Sequence, residues 1–402
     1  MTAPIKQHLI DPAVCIRCNT CEATCPVGAV THDANNYVVD ADTCNFCMDC
    51  VAPCPTGSIN HFVMVARAFS LDEQFSWTDL PEIDDAAGDT ASVEAVDDEA
   101  AALIADAHQG SGGALRAPPS ATQPRVNLFG RSHPAKATVT GNFRLTGPDA
   151  SADIRHIILD LGATPFPVIE GQSIGILPPG HDGGGRPHAL RLYSIASPRD
   201  GERPNTNNLA LTVKRVAEAR DGSIHHGLAS NYLCDLQRGD TVEVAGPFGS
   251  TFLMPDDPDA DIIMICTGTG SAPFRGFTER RRRAMPQARG RLHLFFGARN
   301  PAELPYFGPL QKVPDRLLGK YLCYSRVPGQ PRTYVQDRIR SEAVTVAALM
   351  KDPRTHVYIC GLKGMESGVD EAFADVCRGA AIDWAPLKSA MREDGRYHVE
   401  TY

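Results

Sequence analysis

The chain has 402 residues, 43% hydrophobic and 22% charged, with a formal net charge of −9 and thirteen cysteines. That is too long for one compact core, so two to four domains are expected. No apolar run reaches membrane-spanning length, residues 1–10 lack the basic start and long apolar core of a signal peptide, and nothing calls for nucleic acid, so a cytoplasmic protein with no membrane partner is expected. Charge is uneven: residues 1–125 hold 18 acidic and 5 basic groups, hence −13, leaving +4 for residues 126–402. An acidic front and a mildly basic back suit either an internal docking contact or two separately solvated surfaces.

Eight cysteines form a doubled run, Cys15-x2-Cys18-x2-Cys21-x3-Cys25-Pro26 and Cys44-x2-Cys47-x2-Cys50-x3-Cys54-Pro55. Three thiolates two residues apart on a tight loop can hold three irons of a cubane, while the fourth, followed by a helix-breaking proline, points to the other cluster. On that scheme Cys15, Cys18, Cys21 and Cys54 hold one [4Fe–4S] cluster, and Cys44, Cys47, Cys50 and Cys25 hold the second. Zinc needs only four thiolates per site and gives no reason for the doubled run, and disulfides need an oxidising compartment. Over residues 8–64 the segment resembles the bacterial two-cluster ferredoxins. The resemblance implies an α+β domain over residues 1–69, built for one-electron transfer without a substrate pocket.

From Leu71 to Ala107 there are twelve acidic residues and no Lys or Arg. Such a stretch buries too little apolar surface to offset its ordering entropy, so residues 70–125 are expected to be a flexible acidic linker. It leaves room for a short helix around Val93 to His108, and it would keep the head at high effective concentration near a flavin.

Short alternating segments follow, among them residues 136–140, 154–159 and 241–245, separated by Gly and Pro turns, and predict an antiparallel β-barrel over residues 126–255. On one segment Arg191-Leu192-Tyr193-Ser194 sets a cation, a ring and a hydroxyl within four residues. The set suits a flavin, with a guanidinium for the pyrophosphate, a ring to stack on isoalloxazine and a hydroxyl beside its reactive nitrogen. By itself the tetrapeptide also fits an ordinary strand end. Gly227-Leu228-Ala229-Ser230-Asn231 lies where a helix could begin, and free N–H groups there suit a pyrophosphate.

Past Pro258 strands and helices alternate, which predicts a parallel α/β sheet over residues 256–402. The apolar strand Ile262–Cys266 runs into Thr267-Gly268-Thr269-Gly270-Ser271-Ala272-Pro273, a Gly-rich turn opening a helix with Pro at its first position, the context in which such a turn binds phosphate. The Arg280–Arg283 run on that helix reads as a solvated face or as a docking patch for the acidic head. Further strands are expected at residues 292–297, 321–325 and 357–360. Ser325 and Arg326, with Arg332 and Tyr334, suit the 2′-phosphate of NADP or form a solvated arginine pair. Cys360-Gly361 ends the last strand, where a buried thiol is expected to serve packing.

These motifs together resemble the plant-type ferredoxin–NADP reductase family over nearly all of residues 135–402. The likeness is closest at Ser230 to Leu236, Thr267 to Arg275, Val357 to Met365 and Val399 to Tyr402. The resemblance implies FAD and NADPH as cofactors. Arg191 and Ser230 would hold the FAD pyrophosphate and Tyr193 would stack on one flavin face, with Leu192, Lys214, Gly227, Leu228 and Ala229 also among the flavin contacts. Tyr402 would cover the other face until nicotinamide displaces it. Ser194, Cys360, Glu400 and Tyr402 would surround the point of hydride transfer. Thr269, Gly270, Pro273, Gly361 and Met365 would line the nucleotide, while Ser325, Arg326, Arg332 and Tyr334 would hold its 2′-phosphate. One departure stands out: where many members have a tyrosine under the adenine of FAD, this chain has Glu218.

The fusion of a two-cluster head, an acidic linker and such a reductase resembles the reductase components of bacterial aerobic benzoyl-CoA epoxidase systems. It implies electrons passing from NADPH through FAD and two clusters to a separate di-iron oxygenase in aerobic aromatic degradation. The alternatives are a general NADPH–ferredoxin reductase with other acceptors and a non-catalytic electron-carrying module. Hydride carries two electrons and a cluster accepts one, so a flavin between them is required, and no general base or nucleophile is.

Overall fold

The computed structural model describes residues 5–13, 15–47, 49–51, 54, 58–59, 62–65, 67–81, 100, 102–104, 116–148, 150–204, 206–217 and 226–402. The chain divides into two compact units, Met1–Ala95 and Val96–Tyr402.

In the first unit β1 (Ile5–His8), α1 (Thr20–Thr24), β2 (Val30–His32), β3 (Tyr37–Val39), β4 (Phe62–Val65) and α2 (Leu71–Phe75) follow one another. β1 pairs antiparallel with β4, and β2 with β3. The doubled sequence produces a doubled backbone. Cys15 and Cys44 donate their N–H groups to the carbonyls of Asp11 and Asp40 at 2.9 and 3.0 Å, and Cys25 and Cys54 donate to Glu22 and Val51 at 3.3 and 3.2 Å. Arg17 and Phe46, at the same place in the two cysteine loops, both take left-handed φ, 59° and 57°. That conformation costs a non-glycine residue roughly 1–2 kcal/mol, and its recurrence shows that the loop's turn demands it.

The first unit runs past the expected boundary at residue 69. Ser70 and Glu73 form a capping box that opens α2. Two buried amides then dock the helix: Gln74 bridges both backbone groups of Val39 at 2.9 and 3.1 Å, and Asn36 Nδ2 donates to the carbonyls of Phe75 and Trp77 at 3.1 and 2.7 Å. An acidic composition does not prevent docking when the acidic groups face water and the amides face inward.

Within the expected Val93–His108 helix, Ala100 and residues 102–104 are helical, and the rest of that span lies outside the described residues. Ala100 is fully buried, packing with Leu103 and Ile104 on Leu177, Leu190, Leu192, Ala245 and Phe248. Farther on, the Arg125 carbonyl accepts from Gln172 Nε2 at 2.8 Å and the Thr122 N–H donates to Asp256 at 2.9 Å. The described ends of the 70–125 stretch are therefore bound, each to its own unit.

The second unit holds two layers. β5 (Ala135–Arg144), β6 (Ile154–Asp160), β7 (Ser173–Leu177), β8 (Arg191–Ser194), β9 (Asn208–Lys214) and β10 (Thr241–Phe248) form one antiparallel sheet in the order β8-β7-β10-β5-β6-β9. An Ile195–Leu211 bridge joins the two edges, closing the sheet into a barrel. Its apolar interior is stoppered by α3 (Leu228–Asp235), whose Leu233 and Cys234 are buried there.

β11 (Ile262–Thr267), β12 (Leu292–Ala298), β13 (Leu318–Tyr324), β14 (His356–Gly361) and β15 (Tyr397–Thr401) form a parallel sheet in the order β13-β12-β11-β14-β15. Its helices are α4 (Ser271–Ala284), α5 (Phe307–Lys312), α6 (Val335–Ser341), α7 (Ala343–Lys351), α8 (Met365–Gly379) and α9 (Trp384–Glu393). Both faces of the sheet are covered by apolar clusters, which is why β11 is buried from Ile262 to Cys266. Strand order reverses at β11 and β14, the place where an open parallel sheet leaves a crevice beyond its carboxyl ends.

Two expectations for α4 are corrected. Pro273 is its third residue, because the helix opens at Ser271. The arginine run is not a solvated face. Arg281 is fully buried and donates to the Pro258 and Ala260 carbonyls at 2.7 and 3.1 Å, and Arg283 donates to those of Gly201 and Glu202 at 2.8 and 2.9 Å. α4 is covered on two sides by loops whose carbonyls need donors, and of the run only Arg282 is exposed.

Candidate functional site

In the head, matching positions of the two repeats share one degree of exposure: Cys21 and Cys50 are buried, and Cys18 and Cys47 exposed. The thiols also sort by mutual influence. Cys54 bears on Cys18, and Cys15 and Cys54 bear on Cys21. Cys25 and Cys47 bear on Cys44, Cys25 on Cys47, and Cys44, Cys47 and Cys25 on Cys50. Each set joins the first three cysteines of one repeat to the fourth of the other. Burial first, and neighbouring thiols second, push Cys50 up to about 12, an environment that a bare thiolate would not tolerate. Among the described residues no three His, Cys, Asp or Glu groups close on a single ion. A cubane, with sulfide between its irons, holds its thiolates farther apart than one ion does.

In the second unit, β8 is a sheet edge. Arg191 is exposed, and Leu192, Tyr193 and Ser194 are half-buried, paired with Ile176, Gly175, Ile174 and Ser173 of β7. Tyr193 leans on the barrel core, and burial raises its phenol far above the ordinary range, so it stays a neutral ring. Lys214, exposed, ends β9. Two residues on, the Val216 N–H donates to Ser230 Oγ at 3.2 Å, and that hydroxyl donates to the Gly227 carbonyl at 3.1 Å. Ser230 thus clips the first turn of α3, with Leu228 and Ala229, onto the end of β9. A side chain at Gly227 would stand 2.8 Å from Ser230 Oγ and 2.9 Å from Val216 Cβ, so only glycine fits. Glu218 lies outside the described residues.

The carboxyl ends of β11 and β14 form the second group. Gly268 takes φ 55°, and a Cβ on Gly270 would lie 2.1 Å from the Cys360 carbonyl, so the turn is pressed against β14. Gly361 is packed between Thr267 and Met365, the first residue of α8. Cys360 is fully buried and in register with Cys266 on one side and Glu400 on the other. Burial, and then the Glu400 carboxyl, hold it as a thiol. The Tyr402 N–H donates to the Gly361 carbonyl at 3.0 Å and its hydroxyl lies 2.9 Å from Thr269 Oγ1, where burial raises the phenol well above its ordinary range, although the residue as a whole is 44% exposed. Thr267 opens the Gly-rich turn that the sequence displays, but motif reading expects no site role for its side chain. Its Oγ1 is buried without a hydrogen-bond partner at the end of β11, and the visible signal was a polar residue closing an apolar strand.

The two groups meet directly. Beyond Ser194, Ala196 packs on Ala272 of α4, and a Cβ on Gly276 would stand 3.1 Å from the Ser197 carbonyl. A third group lies at the end of β13: Ser325 and Arg326 leave the strand, and the Thr333 N–H returns to the Tyr324 carbonyl at 3.0 Å, which gathers Arg332 and Tyr334 beside them. Arg326, Arg332 and Tyr334 are exposed.

Comparison with known proteins gives the same division. Residues 14–58 match the 4Fe-4S dicluster domain family, and residues 264–371 the oxidoreductase NAD-binding domain family. The chain is 39% identical over 289 residues to the ferredoxin–NADP reductase of Thermosynechococcus vestitus, covering 69% of this chain and 75% of that protein. It is 37% identical over 288 residues to that of a Spirulina species, covering 69% of this chain and 98% of that protein. The structure of ferredoxin–NADP+ reductase from Plasmodium falciparum superposes with a TM-score of 0.55 at 24% identity, over 69% of this chain and 99% of that one, and shows the shared fold.

Proposed function

This chain belongs to the ferredoxin–NADP reductase family, and on that premise we propose that it carries electrons from NADPH through FAD and two [4Fe–4S] clusters to a separate oxygenase. It is an NADPH-dependent oxidoreductase with a 4Fe-4S domain at its front. The observation that carries the reading is the meeting of β8 with α4: the strand end beyond Ser194 packs on the helix opened by the Gly-rich turn, whose Thr269 also holds Tyr402.

The residues fit the groups assigned to them. For NADPH, the orphaned Thr267 hydroxyl offers a donor and Gly268, with open space where a Cβ would stand, allows a close backbone approach, while Gly270 and Gly361 let the turn and the end of β14 pack against each other. Pro273 shapes the first turn of α4, Met365 flanks Gly361, and Ser325, Arg326, Arg332 and Tyr334 offer hydroxyls and guanidinium forks suited to a 2′-phosphate. For FAD, Arg191 and the first-turn N–H groups of α3, Leu228 to Ser230, suit the pyrophosphate, with Lys214 and Leu192 alongside, and Tyr193 supplies a neutral ring to stack. Eight thiols in two crossed sets fit two clusters. When bound, FAD turns a two-electron hydride into single electrons and the clusters carry those onward.

The protein's own part is alignment and exclusion of water. Ser194 offers a hydroxyl at the hydride-transfer point, and Cys360 and Glu400 bound it from the parallel sheet. Tyr402 hangs from one side-chain hydrogen bond, so its ring can yield to nicotinamide without disturbing the core. Thiols committed to clusters suit a reducing compartment, which supports the cytoplasm as the setting.

A head fused to its reductase makes the acceptor a protein beyond the clusters. The resemblance of the whole arrangement to benzoyl-CoA epoxidase reductases supports that di-iron oxygenase as the partner. Reconstitution with purified oxygenase tests this: benzoyl-CoA consumption stoichiometric with NADPH, and slower with NADH, is expected. Equal electron delivery to unrelated acceptors without benzoyl-CoA coupling would make the protein a general reductase.

A further inference from the structure

Between the barrel and the parallel sheet lies a ring of polar side chains that no cofactor assignment uses. Arg275, on the first turns of α4, pairs with both oxygens of Glu202 at 2.7 and 2.6 Å and donates to the Ala196 carbonyl at 2.8 Å. Tyr306, which precedes α5, is buried with its ring 5.3 Å from the Arg275 guanidinium. Its hydroxyl lies 2.9 Å from His156 Nδ1 on β6 and 2.6 Å from Thr212 Oγ1 on β9. His156 Nε2 stands 3.4 Å from Glu202 Oε1, within ion-pair reach but not hydrogen-bonded, and completes the ring.

Two further features show what the ring is for. Tyr306 takes a left-handed φ of 61°, a conformation that a bulky residue keeps only where its surroundings demand it. The apolar core beside the ring is three alanines, Ala196 and Ala210 against Ala272, with the partly buried Ile158 packed at its side. Small side chains do not interdigitate, so that contact alone fixes no register between the layers. Arg275 does: one guanidinium binds a residue two positions past Ser194 and sits on the helix that Thr269 and Gly270 open.

We propose that Arg275, Glu202, Tyr306 and His156 form a positioning ring that sets the spacing between the flavin-bearing strand end and the nucleotide-bearing turn, and with it the distance over which hydride passes. The proposal rests on the reading of β8 and the Gly-rich turn as flavin and nicotinamide sites. These are positioning residues, none of which need touch either cofactor. Misplacement by an ångström costs such a transfer up to about a hundredfold, while binding of the distant phosphates is spared.

Arg275→Lys keeps the charge but not the two-pronged grip, and Tyr306→Phe keeps the ring but not its hydroxyl bonds. Each full-length variant, purified with FAD, is compared with wild type for FAD content, NADP+ affinity, the nicotinamide–flavin charge-transfer absorbance and the single-turnover rate of flavin reduction by NADPH. Full FAD content, NADP+ affinity within about twofold, a weakened charge-transfer band and reduction slowed about 10- to 100-fold are expected. In steady state kcat falls while KM for NADPH holds, and the double variant is no slower than about the worse single one. A wild-type rate and band in either FAD-loaded variant overturns the proposal, and if Arg275→Lys loses FAD, Tyr306→Phe decides alone. A wild-type protein whose flavin NADPH never reduces overturns the functional reading itself, and the proposal with it.

Discussion

In the head, all eight cysteines proposed as ligands fall between Cys15 and Cys54, and each one's degree of exposure repeats at its counterpart in the other half. In the reductase unit, the proposed site draws Ser194, Thr269, Cys360 and Tyr402 from strand ends and turns more than two hundred positions apart. The head's chemistry is local, so spacing along the chain is nearly spacing in space. The reductase site exists only once a closed barrel and a doubly covered sheet have folded against each other. A local site should therefore fail by losing its cofactor, and an assembled one by losing alignment first.

The largest effect should come from Cys54→Ser. It removes the fourth thiol from the set of Cys15, Cys18 and Cys21, so iron content is expected to fall by about half while NADPH still reduces the flavin. Loss of flavin reduction in that variant would break the comparison, since the two sites would not be separable. Gly270→Ala comes next. Its new methyl would meet the Cys360 carbonyl at 2.1 Å, and overpacking against backbone should lower stability by about 1–3 kcal/mol in thermal unfolding, with nucleotide binding weakened.

A pH series sharpens the assembled side. Burial alone would raise the Glu202 carboxyl, but His156 on β6 and Arg275 on α4 outweigh it and hold it at about 2, below its ordinary 4.5. A carboxyl depressed on folding stabilises the native state above its unfolded pKa. That contribution is complete above pH 4.5 and is lost as pH falls from there towards 2. Melting temperatures of wild type should drop across this window more steeply than those of Glu202→Gln, and parallel curves would show that the pair adds no pH-dependent stability. The smallest effect is expected for Ser230→Ala, which leaves the Val216 N–H without its side-chain acceptor and should cost about 1 kcal/mol with a modest loss of FAD affinity.

Sequence reading reached the fold class because its signals were periodic: alternation for the barrel, buried strands followed by helices for the parallel sheet, and a doubled cysteine run for the head. It placed Thr269, Gly270, Cys360 and Gly361 at strand ends because Gly-rich turns after apolar strands have few other uses. It failed where composition and partner disagree. Arg281 looked solvated because arginine usually is, yet it satisfies two loop carbonyls from inside the fold. The acidic run from Leu71 hid a docked helix, although the Ser70–Glu73 capping box was readable and only the partners of Asn36 and Gln74 were not. Tyr306 carries no local signal at all, because its meaning lies in His156, Thr212 and Arg275, residues from three other elements.

The most direct test of the account is an anaerobic NADPH titration of freshly purified protein, with flavin and iron–sulfur absorbance followed separately and NADH run in parallel. Flavin bleaching by NADPH, followed by loss of cluster absorbance and weaker response to NADH, is the predicted result. Flavin that stays oxidised under excess NADPH would contradict the central claim.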